Sequence, residues 1–164
     1  MKTKQLWRIL VCACVMIGLT GCWDWEDGRS SVPSYPVKIT LDTRVGAFVH
    51  FIPSNINSYV VVKKDGILYN NIIYPRPIDM YYGYAGVVIN VNNQMQYTAF
   101  DLCCPKCLNR LIPIEVFGGF ADCPSCGESY ELMNGLGTPS KGISRESLRR
   151  YSVSWYDGVV QVSN

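Results

Sequence analysis

The sequence predicts an all-β fold built as a small antiparallel sandwich or barrel, on three observations. Tyrosine (eleven residues), valine and isoleucine are heavily used, and branched and aromatic side chains suit a pleated, half-buried surface. Short apolar or alternating segments recur about every ten residues, separated by turn residues. No segment carries a convincing helical period. With 48% hydrophobic and 17% charged residues, the chain can build a packed core.

Val37 to Asp42, following Pro36, alternates and reads as the first strand. Ala47 to Ile52 and Tyr59 to Lys64 are further strand candidates, and Asp65-Gly66 is a hairpin dipeptide leading into Ile67-Leu68-Tyr69. Tyr74-Pro75-Arg76-Pro77 breaks regular structure. Gly83 and Gly86 mark a close approach of backbone to another element. Val87 to Val91 and Met95 to Phe100 flank Asn92-Asn93 as a hairpin, and Tyr151 to Trp155 and Val159 to Val162 flank Asp157-Gly158 as another. Ser144 to Arg150 is expected to make one helical turn capped by Ser144.

The N-terminus addresses the chain. Lys2, Lys4 and Arg8 precede an uninterrupted apolar run of eleven residues, Ile9 to Leu19. That is short for a bilayer span and suited to a signal-peptide core. Leu19-Thr20-Gly21-Cys22 resembles the bacterial lipobox, in which the cysteine is acylated and becomes the first residue. The expectation is a signal peptide over 1–21, a lipidated flexible tether over 22–35 and a β domain over 36–164. The acidic Trp23-Asp24-Trp25-Glu26-Asp27 behind Cys22 looks like the tether of Bacteroides-type lipoproteins. The expected location is the bacterial cell envelope, outer membrane, periplasmic or surface-exposed. Without the three signal cations, twelve basic side chains face thirteen acidic ones, so no basic patch argues for nucleic acid.

Of eight cysteines, Cys12 and Cys14 lie in the signal and lipidation takes Cys22. Cys104-x2-Cys107 and Cys123-x2-Cys126, fifteen residues apart, have the spacing of a metal-binding ribbon. Pro105 and Pro124 fix φ inside each knuckle. Gly127 can take the left-handed conformation that turns backbone amides toward sulfur. The ribbon subdomain is expected over about 101–135. Cys103 is a buried hydrophobe, an alternative ligand or a disulfide partner.

From Cys123-Pro124-Ser125-Cys126-Gly127 through Tyr130, Gly135, Gly142, Leu148-Arg149-Arg150-Tyr151-Ser152-Val153 and Asp157-Gly158, the chain resembles the C-terminal half of a Rieske [2Fe-2S] domain. Upstream, Phe100-Asp101-Leu102-Cys103-Cys104-Pro105-Lys106-Cys107 stands where that family has its first Cys-x-His box. The resemblance implies a small antiparallel β sandwich with a cluster subdomain. The departure concerns the ligands, because a Rieske centre places two histidines on one iron. Lys106 stands at the first histidine position and Cys126 at the second. Rieske chemistry with its proton-coupled histidines is thereby excluded. The four cysteines are left to hold zinc, a [2Fe-2S] cluster or a single iron, or to form disulfides. The n-region has no Arg-Arg pair for export of a folded, cofactor-loaded protein, which favours zinc acquired after export.

His50, between Val49 and Phe51, reads as a packed strand residue. Lys141 and Arg145 read as solvated charges. Trp23, Trp25, Tyr81, Tyr82 and Tyr84 can serve packing or an interface. No nucleophile–base pair or phosphate loop is present in the motifs, so the expectation is a protein that is not an enzyme. Its expected partners are a membrane through the lipid and an unidentified protein or redox partner.

Overall fold

The structure, a computed structural model, describes residues 30–164. Thirteen strands lie in that range. β1 (Val37–Asp42), β2 (Tyr59–Lys63), β3 (Gly66–Tyr69), β4 (Ile72–Tyr74), β5 (Tyr81–Tyr82), β6 (Val87–Val91) and β7 (Tyr97–Asp101) precede the cysteines or lead into them. β8 (Glu115–Phe117), β9 (Phe120–Asp122), β10 (Ser129–Glu131) and β11 (Thr138–Lys141) surround the second pair, and β12 (Arg150–Tyr156) and β13 (Val159–Ser163) close the chain. The fold is all-β, as the composition predicts.

A nine-stranded sheet runs β4-β3-β2-β6-β7-β12-β13-β1-β5, and a four-stranded sheet runs β11-β10-β9-β8. Every pairing is antiparallel. The larger sheet curls.

Side-chain alternation explains where the cores lie. Val60, Val62, Val87, Ile89, Val91 and Ala99 pack in one cluster with Ile39, Leu41 and Phe51, inside the curl. Their neighbours Val61, Val88 and Phe100 point the other way, into a second cluster with Leu102, Ile114, Ala121, Tyr130, Leu132 and the cysteines. Strands β2, β6 and β7 are therefore covered on both faces, which is why Val87 to Val91 reads as a continuous apolar run. Each large side chain buried in this way contributes about 2 kcal/mol. Asn90 is the polar exception on β6. Its Nδ2 donates to Leu132 O at 3.1 Å and its Oδ1 accepts from Thr98 Oγ1 at 2.8 Å, so it ties the two sheets without an unpaired group.

All three hairpins read from the sequence are present, the first pairing Val62 with Ile67. Val87 pairs with Asp101 and Val91 with Tyr97. Asp157-Gly158, both at positive φ, closes β12 onto β13. Three expectations are corrected. Ala47 to Ile52 is not a strand: Gly46–Phe48 forms a single 3-10 turn, and Phe51 N–H bonds back to Phe48 O at 2.8 Å, which drops the Phe51 ring into the core. His50 consequently sits exposed in a turn rather than packed in a strand. Ser144 to Arg150 forms no helical turn either. Its backbone N–H groups are taken elsewhere, Ser144 by the Glu128 carboxylate and Leu148 by Gly137 O.

Candidate metal centre

β7 delivers the first knuckle and the β9-to-β10 connection delivers the second. The two are built alike. Leu108 N–H reaches Cys104 O and Gly127 N–H reaches Cys123 O, each at 2.9 Å. The residue after the second cysteine stands at positive φ in both, +52° at Leu108 and +71° at Gly127. Glycine takes that conformation freely, whereas the leucine carries a steric cost. The turns aim backbone N–H groups of Ser125 and Cys126 at the Cys123 sulfur, and that of Glu128 at the Cys126 sulfur.

All four sulfurs of Cys104, Cys107, Cys123 and Cys126 lie within 4.8 Å of one another. The bonds between knuckles are crossed, with Cys104 Sγ 3.7 Å from Cys126 Sγ and Cys107 Sγ 3.8 Å from Cys123 Sγ. Those separations far exceed a disulfide bond of about 2.05 Å, and the five cysteines of the described residues are free thiols. The group can hold a metal. Cys104 and Cys123 are buried while Cys107 and Cys126 reach the surface. Burial pushes the Cys123 thiol up to about 12 and raises Cys107 as well. At Cys126 burial acts in the same upward direction, but the Glu128 N–H and the neighbouring thiols outweigh it and bring the thiol down.

Cys103 is fully buried and stands apart from this group, its Sγ donating to Cys104 O at 3.7 Å. Burial, with the Asp101 carboxylate close by, holds its thiol at about 12. It packs as a small hydrophobe, the first of the three roles open to it. His50 does not join the cysteine group. Cys22 lies outside the described residues.

Four residues that sequence reasoning passed over shape the centre. Tyr130, fully buried, places its hydroxyl 3.3 Å from Cys104 Sγ. Burial raises this phenol well above the usual range, so it keeps its proton. Glu128 is 1% exposed, and its carboxylate accepts from Lys106 Nζ at 2.7 Å and from the N–H groups of Ile143 and Ser144 at 3.0 Å each. The Lys106 ammonium and those two N–H groups lower its carboxyl to about 2. Asp101, at the end of β7, is completely buried. It accepts N–H bonds from Tyr84, Ala85 and Cys103 and the Tyr151 hydroxyl at 2.7 Å. Burial raises its carboxyl despite these four donors. Ser31 is the fourth: its hydroxyl donates to Pro105 O at 3.1 Å and its N–H to Glu146 Oε2 at 2.9 Å. The described part of the segment assigned to the tether, 30–35, is thus held against the domain, with Val32 buried in the second cluster and Arg149 bonded to Val32 O at 2.7 Å.

No family model matches the chain, and no curated protein is found similar to it. Among solved structures, one chain of "Complex of reduced oxygenase and oxidized ferredoxin in carbazole 1,9a- dioxygenase" is similar at 14% identity with a TM-score of 0.45, over 77% of this chain and 93% of that chain.

Proposed function

We propose that this is a lipid-anchored envelope protein carrying a Rieske-like domain, in which Cys104, Cys107, Cys123 and Cys126 bind one zinc ion as a structural staple. The observation that carries the reading is the pair of sulfur separations, 3.7 and 3.8 Å. A tetrahedral thiolate site with Zn–S of about 2.3 Å has edges of about 3.8 Å. A binuclear cluster holds two sulfurs on each metal and sets the two pairs further apart than the 4.8 Å that bounds every sulfur separation here, so the cysteines would have to spread to admit it. A single iron has the same geometric requirement as zinc and is the competing occupant.

Four protein sulfurs complete a tetrahedral zinc and leave no open position, which suits a structural site and not a catalytic one. The ion would fasten the end of β7 to the β9–β10 connection, two points with little other covalent or sheet linkage between them. The domain would then serve as a binding module at the membrane. The acylated Cys22, the export signal over 1–21 and the envelope location belong to this reading and rest on the N-terminal sequence.

Metal and acid-labile sulfide analysis, with an absorption spectrum, tests it on protein purified without added metal. One zinc per chain, no sulfide and no visible colour is the expected result. Two irons with two sulfides would make the protein an electron carrier and overturn the staple. Metal-free protein with cysteine masses short by two hydrogens per pair would overturn it in favour of disulfides.

A further inference from the structure

Ser31 joins the start of the described chain to the first knuckle through Pro105, and to Glu146 through its N–H. The same end of the molecule is closed into a ring of contacts. Lys106 follows Pro105 and pairs with Glu128, Glu128 holds Ile143 and Ser144, and Ser144 exchanges hydrogen bonds with Glu146. Apolar side chains project beside this ring. Leu111 and Ile143 are each 81% exposed, and Leu108 is 43% exposed. Arg110 and Arg145 are exposed on the same loops and Lys141 at the end of β11, with the exposed Glu146 beside Arg145. Apolar tips flanked by cations suit the headgroup region of a bilayer.

Chain length decides which end of the domain can meet that bilayer. From Cys22 to Ser30 there are eight residue steps, which extend to about 29 Å at most. A folded unit of this size is roughly 37 Å across. A tether that leaves from Pro105 cannot pass around the domain and still bring the opposite end to the membrane. β12 gives the direction of that opposite end. Its first residue, Arg150, pairs with Phe100 just before the knuckle, and Tyr156 lies six residues on, about 20 Å further along the strand.

We propose that the cysteine end of the domain rests on the lipid bilayer, with Leu108, Leu111 and Ile143 inserted among anionic headgroups. The proposal depends on the reading of Cys22 as lipidated. It gives the metal staple a second consequence, since the ion holds together the loops that meet the membrane.

The test uses the full processed protein in phosphatidylcholine vesicles containing about one-quarter phosphatidylglycerol. Photoreactive benzoylphenylalanine replaces Leu111, Ile143 or, as the distant control, Tyr156, which is 86% exposed. Mass spectrometry reads lipid adducts on each site and the acyl mass on the N-terminal peptide. Adducts at 111 and 143 about tenfold or more above those at 156 are expected, reduced by Arg110→Glu with Arg145→Glu. Equal labelling at all three positions, with Cys22 acylated, overturns the orientation and leaves the anchor standing. An N-terminal peptide without acyl mass overturns the anchor and the proposal with it. In native membranes, protein adducts replacing lipid adducts at 111 and 143 overturn the proposal in favour of a protein partner.

Discussion

Lys106 Nζ lies 2.7 Å from Glu128 Oε1, across the two cysteine knuckles. Lys106 stands between the two cysteines of the first knuckle, and Glu128 follows the last cysteine of the second by two residues. The ion pair therefore joins one knuckle to the other. Because Glu128 also holds Ile143 and Ser144, the pair organises the 142–146 loop as well.

Glu128→Gln would put an amide donor against donors that now share two carboxylate oxygens. Hydrogen exchange at Ile143 and Ser144 is expected to accelerate about tenfold or more, while β1 and β13 keep their protection. Unchanged exchange at both amides would show that the loop is held by other contacts.

Cys123→Ser removes a buried ligand and is expected to lower metal affinity by about a hundredfold or more. The loss of protection should concentrate in β8, β9 and β10, which have only three residues each. Metal titration and exchange mass spectrometry check both. Cys103→Ser, in contrast, should retain the metal, because Cys103 is outside the four-sulfur group.

Gly83 stands at φ +72°, and a Cβ there would lie 2.6 Å from both Asp101 Oδ2 and Tyr151 Oη. Gly83→Ala is expected to cost about 3 kcal/mol through backbone strain and the clash. Tyr151→Phe removes one of four donors to the buried carboxylate and should cost about 1–2 kcal/mol. Denaturant midpoints measure both, and a neutral Gly83→Ala would contradict the described packing.

Asp101 makes a signed prediction about pH. Burial raises its folded pKa above the ordinary 3.8, so the folded chain binds the proton more tightly than the unfolded chain does. This carboxyl's contribution therefore favours folding at acid pH and declines as pH climbs from about 3.8 through the raised value. Asp101→Asn cannot titrate and should lack that decline, whatever its constant offset. The difference between the two stability–pH curves, measured at saturating zinc, isolates the effect.

How much was legible in the sequence varies with range. The hairpins at Asn92-Asn93 and Asp157-Gly158 were readable, because turn chemistry and alternation are local properties of a few residues. So was the grouping of the four cysteines, since each knuckle is set by its own Cys-Pro-x-Cys and the spacing only has to let two knuckles meet. The 3-10 turn at Gly46–Phe48 was not, because Val49 and Phe51 carry a strand-like pattern that backbone bonding to Phe48 O overrides. Strands β8 to β11, of three or four residues each, are too short to leave a periodic signal, and they exist because they pair with one another beside the four cysteines.

By itself the sequence determined an all-β domain, the four candidate ligands and the absence of histidine from the cysteine motifs, because residue identity decides which atoms can ligate and which turns can close. Only the tertiary structure decided that Asp101 meets Tyr151 fifty residues away, that Lys106 and Glu128 pair across the knuckles, and that Ser31 docks on Pro105. Those partners are chosen by the register and curl of the sheets, which arise from contacts among distant segments.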